Sequence, residues 1–310
     1  MSDDVLRTPD HRFRDLPGYP FTPNYTEVGQ LRMHYVDEGP ADAPVVLMLH
    51  GEPSWSYLYR KMIPILTDAG YRVVCPDLIG FGRSDKLRYQ RQYSYDFHLQ
   101  TLNAFLDNLQ LDAIHLVCQD WGGLLGLRLV AAEPERFARV VAANTMLPGF
   151  PANHPRLQGK LRTRDKIAAG LGFGAWLALS QLHPFWRAGQ IVQLGTVTKL
   201  PEAVVAAYDA PFPDRSFMAG ARIFPRLVPT ELRANRAAWQ TLVRWDKPFL
   251  TAFSDRDPIM SPLARVFQEL IPGAHGEPHT TIRGASHFLQ EDQGEELARV
   301  IADWLAHGSA

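Results

Sequence analysis

Cysteine is scarce in this chain: Cys75 and Cys118 are the only two in 310 residues, and both fall inside apolar runs of strand length. That excludes a disulfide framework and a cysteine-based zinc site, and the expectation is a pair of buried, reduced thiols in a cytoplasmic protein. Net charge is equally thin, with 32 Lys and Arg against 33 Asp and Glu leaving −1. Such a balance gives no electrostatic case for nucleic acid or an anionic membrane. No apolar run reaches the roughly 18 residues of a membrane span. The opening, Met1 to Arg7, is acidic and lacks the apolar core of a signal peptide. Neither G-x-G-x-x-G nor G-x-x-x-x-G-K-[ST] follows a strand, which argues against nucleotide binding, and no cluster has metal-ligand spacing. The expectation is therefore a monomer that needs no cofactor and no metal, and whose partner is a small molecule. No internal repeat or low-complexity tract occurs.

What is present centres on Ala113 to Gly126, where an apolar run of strand length meets two glycines and then an apolar run of helical length. The chain must turn sharply from strand to helix near Gln119 to Trp121. Cys118, Gln119, Asp120, Trp121 and Gly122 follow the nucleophile-elbow pattern G-x-S-x-G, with a small first residue and with aspartate in place of serine. A serine needs a base before it can attack, whereas a carboxylate, with a reference pKa of about 3.9, is already ionised at neutral pH. Asp120 is thus a candidate nucleophile toward saturated carbon that would be left as an ester. The plainer reading is an Asp that caps the following helix.

Around this stretch, strand-like and helix-like segments alternate. A hairpin is expected over Tyr25–Val28 and Leu31–Asp37, and strands at Val45–Leu49, Arg72–Pro76, Arg139–Asn144, Pro248–Phe253 and His279–Ile282. Helices are expected over Tyr57–Leu66, along Leu102 to Leu109, over Glu231–Leu242 and along Leu297 to Leu305, the last stopped at Gly308. This order predicts the α/β class, a mostly parallel doubly wound sheet in the manner of the α/β-hydrolase fold. From Pro148 to Pro229 the alternation stops. Leu171, Phe173, Trp176, Leu177, Leu179, Leu182, Phe185 and Trp186 recur there at near-helical spacing and should pack down on something. The expected division is a core from 1–147 and 230–310 with a helical cap, 148–229, inserted.

The strand ends carry Glu52, Asp120, Asp257 and His287 at the carboxyl edge, where open sheets bind ligands. Nucleophile, acid and histidine in the order Asp120, Asp257, His287 is the chain order of the α/β-hydrolase triad. Asp255 competes with Asp257 as the acid. No acid stands at the end of the preceding strand, where the chain reads Ala142-Ala143-Asn144-Thr145-Met146.

His50-Gly51-Glu52-Pro53-Ser54-Trp55, Gln119-Asp120-Trp121-Gly122-Gly123 and Ala210-Pro211-Phe212-Pro213-Asp214 resemble the haloalkane dehalogenases, in particular the branch with Glu in the HGEP loop. The likeness runs over nearly the whole chain. It implies hydrolysis of a carbon–halogen bond with Asp120 as nucleophile, His287 as base and Asp257 as supporting acid, and with halide and alcohol as products. It also implies that two indole N–H groups hold the halide, one from Trp121 and one from the cap, where Trp176 is the better match and Trp186 the rival. The backbone N–H groups of Glu52 and Trp121 would then meet the oxyanion of ester hydrolysis. The Glu52 carboxyl has either a loop-fixing role or a part in placing water, and His50 is read as a loop-shaping residue. An epoxide hydrolase shares the fold and the triad but protonates its alkoxide from cap tyrosines. The cap here holds a single tyrosine, Tyr208. A non-catalytic receptor on the same scaffold is the alternative from a different class.

Overall fold

The runs Val45–Leu49, Ile114–Gln119 and Phe249–Ser254 have almost no polar face, and strands of that kind are stable only between two covering layers. A computed structural model, which describes residues 4–160, 163–182 and 187–307, has that arrangement. The side chains of residues 163–169, 179 and 182 lie outside the description. In chain order the strands are β1 (Val5–Leu6), β2 (Asn24–Val28), β3 (Leu31–Glu38), β4 (Val45–Leu49) and β5 (Arg72–Pro76). They continue with β6 (Lys86–Leu87), β7 (Ile114–Gln119), β8 (Phe137–Ala143), β9 (Phe249–Ser254) and β10 (Thr280–Ile282). The helices are α1 (Ile63–Asp68), α2 (Tyr95–Asn108), α3 (Trp121–Ala132), α4 (Thr163–Leu182) and α5 (Ala188–Leu194). After them come α6 (Glu202–Asp209), α7 (Ala219–Leu227), α8 (Leu232–Leu242), α9 (Ala264–Leu270) and α10 (Leu289–His307).

Eight strands form one sheet in the order β10-β9-β8-β7-β4-β5-β3-β2. From β10 to β5 every neighbouring pair is parallel, and the β2–β3 hairpin closes one edge antiparallel. The parallel part starts at β4, inside the sheet, and winds outward in both directions, which leaves the carboxyl ends of β4 and β7 side by side at the switch point. Helices pack in two groups, α1 with α10 and α2 with α3 and α8. Because β4, β7 and β9 are buried nearly throughout, both faces of the sheet are covered. No helix among the described residues is long and apolar enough to cross a membrane.

Three expectations change. Instead of one helix over 57–66, Ser56–Tyr59 makes a 3-10 turn and α1 starts only at Ile63. Pro64 explains the break, since it lacks the N–H an interior position would donate and belongs in a first turn. The strand expected through Asn144 stops at Ala143, because Asn144 turns to φ 40°. The apolar residues of α4 do not all pack down: Leu171 is 71% exposed, and Phe173 and Trp176 are half-buried. Phe173 and Trp176 line a cavity, so their unfilled side is space for another molecule, whereas Leu171 is not part of that wall. Trp186, Phe185 and Gly308 lie outside the described residues, as do the side chains of Leu179 and Leu182.

The segment before the sheet is a strap. Arg7 pairs with Asp85 at 2.6 Å, while Thr8 and Arg12 donate to the carbonyls of Pro211 and Ala210 at 2.7 Å each. The Ala210–Asp214 motif is thus where the inserted helices are tied to the chain's beginning. A second tie is buried. The Glu291 carboxylate accepts both arms of Arg60 and the hydroxyl of Tyr208 on α6, and Lys61 donates to its carbonyl at 2.6 Å. Removing one partner from such a buried pair leaves an uncompensated charge. Glu291→Ala is predicted to cost about 3 to 5 kcal/mol of stability, read by denaturant unfolding.

Candidate active site

β7 hands over to α3 at Asp120, whose backbone takes φ 49° and ψ −124°. A non-glycine residue held there costs roughly 1 to 3 kcal/mol, a strain found where surrounding structure fixes a reactive side chain. Two glycines make the turn sterically available. A Cβ on Gly122 would sit 1.9 Å from the Leu49 carbonyl oxygen, and one on Gly51 would sit 2.2 Å from Asp120 Oδ1. Strand β4 and helix α3 therefore touch, and the Asp120 carboxylate tucks beneath the His50–Glu52 turn. The helix-cap alternative fails, since the Asp120 side chain makes no bond to the amides of α3. Its Oδ1 accepts the Glu52 backbone N–H at 2.8 Å instead, and Thr145 Oγ1 donates to its carbonyl at 2.7 Å. The Trp121 amide follows on the same turn.

His287, 23% exposed, stands between two carboxylates: Nδ1 is 2.7 Å from Asp257 Oδ2 and Nε2 is 3.6 Å from Asp120 Oδ2. Asp257 is fixed by the backbone amides of Ile259 and Met260, each 2.9 Å from Oδ1. Asp255, the rival acid, does not reach the imidazole; its carboxylate accepts the amide of Gly284 at 2.8 Å and holds the loop that carries the histidine. Burial works to raise the Asp257 carboxyl, but His287 and the two amides hold it below its ordinary value. Burial likewise works to lower the His287 imidazole, yet Asp257 and Asp120 together push it up to about 10.

Three polar side chains outside the expected set position this loop. Asn144 Nδ2 donates to the carbonyls of Ser286 at 2.8 Å and His287 at 3.2 Å, while its Oδ1 accepts the Ser254 amide at 2.9 Å. Gln119 Nε2 lies 3.2 Å from both the His287 carbonyl and the ring Nε2. Asp292 accepts the Ser286 amide at 2.9 Å. The visible signal was a polar residue at the buried end of an apolar strand, at Gln119 and Asn144; nothing in the pattern marks Asp292.

These groups open on a cavity of about 580 Å³ lined chiefly by apolar side chains, among them Leu124, Met146, Phe150, Phe173, Ile191 and Leu263. Trp121 and Trp176 both line it. Three other indole N–H groups are committed: Trp55 donates to the Ala207 carbonyl, Trp239 to that of Leu147 and Trp304 to Glu277, while that of Trp245 is buried without a partner and away from the cavity. Trp121 and Trp176 donate to no acceptor among the described residues, so two donors are left for whatever enters. Trp121 is nonetheless 3% exposed, gripped by Phe224 with ring centres 4.4 Å apart. Glu52 also lines the cavity, with Oε1 buried and unpartnered. Burial first, and Asp120 second, push its carboxyl well above the carboxylate range, which keeps it neutral. His50 shapes the loop, through contacts with the Gly51 carbonyl at 2.9 Å and the Leu78 amide at 3.0 Å. Among the described residues, no group of three or more His, Cys, Asp or Glu is arranged to hold a metal ion.

A family model described as the alpha/beta hydrolase fold matches residues 44–173. A haloalkane dehalogenase of Psychrobacter cryohalolentis is 52% identical over 97% of this chain and 98% of its own length. That of Mycobacterium marinum is 49% identical over 97% and 99%. The chain belongs to the haloalkane dehalogenases. Among solved members of the family, DpaA of Paraglaciecola agarilytica, described as tetrameric, superposes with a TM-score of 0.81 at 35% identity, covering 96% of this chain and 97% of that one. The α/β-hydrolase fold expected from the alternation of strand and helix is thus borne out, and so is the resemblance to the dehalogenases.

The His287–Asp257 pair has a pH signature in folding as well. A histidine raised above its unfolded value of about 6.5 contributes stability that is complete below that pH and fades as pH rises through about 10. The melting-temperature difference between the parent and His287→Gln is predicted to shrink steadily from pH 6.5 to 10.5, and a difference that grows with pH contradicts the assignment.

Proposed function

We propose that the chain hydrolyses haloalkanes to a primary alcohol, halide and a proton through a covalent Asp120 ester. One observation carries this reading: an ionisable carboxylate at a strained turn faces an apolar cavity that also receives two uncommitted indole donors. In the first step an Asp120 oxygen attacks the carbon bearing the halogen, and the bonding pair leaves with the halide. The Trp121 and Trp176 N–H groups strengthen their hold as negative charge develops there.

In the second step water attacks the ester carbonyl carbon of Asp120 and His287 Nε2 takes one of its protons; the bond from that carbon to the alkoxy oxygen then breaks, the oxygen leaves as the alcohol with the other water proton, and the Asp120 carboxylate is restored. The oxyanion meets the backbone N–H groups of Glu52 and Trp121. Charge sets the order of events. Before the first step the imidazole is held protonated by two carboxylates. Esterification neutralises Asp120 and removes one of those supports, so the imidazolium releases its proton to solvent and His287 is a base when water must be activated. A neutral Glu52 adds no second negative charge beside the nucleophile.

An epoxide hydrolase is disfavoured because the cap's single tyrosine, Tyr208, is fully buried on Glu291 and does not line the cavity. A receptor would not need the triad it retains. On this reading residues 148–229 are the cap over a core made of 1–147 and 230–310, and the protein works as a cytoplasmic monomer without cofactor.

Purified protein is expected to release bromide from terminal bromoalkanes without added metal; diol from epoxides with no halide from any bromoalkane moves the assignment to the epoxide hydrolases. His287→Gln should stop the reaction at an alkylated protein, seen as one added alkyl mass, and turnover at the parent rate rules out the two-step scheme. Hydrogen bonds to charged groups contribute about 1.5 to 3 kcal/mol. Trp176→Phe is therefore predicted to weaken halide binding about tenfold or more, measured by fluorescence quenching.

A further inference from the structure

The loop that carries His287 is held from two sides. From the core, Asn144, Gln119 and Asp255 bind it. From the other side the inserted helices lie directly on it. Phe288 N–H donates to the Gly195 carbonyl at 3.0 Å, and a Cβ on Gly195 would fall 2.7 Å from the Phe288 ring and 3.5 Å from His287 Cβ. The two bodies share one carboxylate. Asp292 accepts the backbone N–H groups of Thr198 at 2.7 Å and Val197 at 3.0 Å, just beyond α5, while its Oδ2 accepts that of Ser286, the residue before the histidine, at 2.9 Å.

Asp292 sits on a short piece of helix rather than a long one. Gln293 departs from helical geometry at φ −142° and ψ 40°, so residues 289–292 form a turn set off from the rest of α10. The preceding residue, Glu291, ties that same turn to Arg60 in the core and to Tyr208 on α6. Two successive acids therefore bind the turn to the inserted helices and to the core. Asp292 does not itself line the cavity; what it fixes is the backbone entering His287, through the Ser286 amide, and with it the direction of Nε2.

We propose that Asp292 is a positioning residue for the hydrolysis of the ester: it fastens the 195–198 segment of the cap to the His287 loop and so sets the imidazole's aim at water. The proposal rests on the two-step dehalogenase reading above. Its consequence is an asymmetry between the steps. Displacement of halide by Asp120 needs no base, whereas hydrolysis needs an imidazole aimed to within tenths of an ångström.

Single-turnover kinetics with 1-bromobutane tests it, following bromide release for the first step and the mass of alkylated protein for the second. In Asp292→Ala, bromide burst within about twofold of parent and decay of the alkylated form at least tenfold slower is expected, so that kcat and KM fall together. Asp292→Asn keeps an acceptor oxygen and should recover part of the lost decay rate. In both variants the pH midpoint of decay should stay at the parent's value, because the role is placement and not charge. Equal slowing of both steps, unchanged decay, or a shifted midpoint in the folded variants overturns the proposal. Should the alanine variant fail to fold, Asp292→Asn decides alone: selective slowing of decay supports it, and parent-like decay overturns it. Absence of a bromide burst from the parent itself instead overturns the dehalogenase reading on which the proposal stands.

Discussion

The structure depends on one electrostatic line, Asp257 to His287 to Asp120, in which an imidazole stands 2.7 Å from one carboxylate and 3.6 Å from the other. The two acids are not equivalent. Asp257 has both oxygens occupied, one by the ring and one by two backbone amides, so it stays where it is and stays ionised. Asp120 gives one oxygen to the Glu52 amide and keeps the other loosely beside His287 Nε2, 3.6 Å away, at the edge of the cavity. That difference in satisfaction separates an orienting acid from a reacting one.

Most of the fold holds that line in place. Strands β4 and β7 lie side by side because the sheet winds outward from its middle, and only this adjacency brings the Glu52 amide to Asp120. The close approach requires glycine at 51 and at 122, where any side chain would overlap the nucleophile or the backbone of β4. The histidine comes from the other half of the sheet, where β9 and β10 pair in parallel and deliver Asp257 and His287 from successive loops. Over this edge lie helices that supply one wall of a cavity, to which α4 contributes the half-buried Phe173 and Trp176.

Much of this was legible in the sequence. Strands of the parallel sheet read clearly because burial on both faces leaves an apolar run with no period, and the elbow read clearly because small residues at fixed offsets have one steric cause. Helix boundaries were less legible. Pro64 carried the information that broke the first helix, but apolar spacing across 57–66 outweighed it. The run of helices between β8 and β9 was visible as a failure of alternation, while the exposure of Leu171 was not, since periodicity reports which residues share a face and not what that face meets. Asp255 and Asp257 are two residues apart in one loop, and only geometry separates the one that binds the histidine's ring from the one that binds its loop. Asp292 acts through backbone groups, some as far off in the chain as Thr198, a kind of contact that leaves no local pattern.

The two buried thiols have a bearing on survival under working conditions. Haloalkanes are alkylating reagents, and the group in proteins they modify most readily is a thiolate. Cys75 and Cys118 are both fully buried, and burial pushes both thiols up, Cys75 also through Asp77, so neither supplies a thiolate at neutral pH. Cys118 lies only two residues from Asp120, yet it turns toward the Val141 carbonyl, 3.6 Å away, on the far side of the strand end. On the proposed mechanism an enzyme built this way offers an incoming alkyl group one carboxylate that can later be regenerated, and no thiolate on which the label would be permanent.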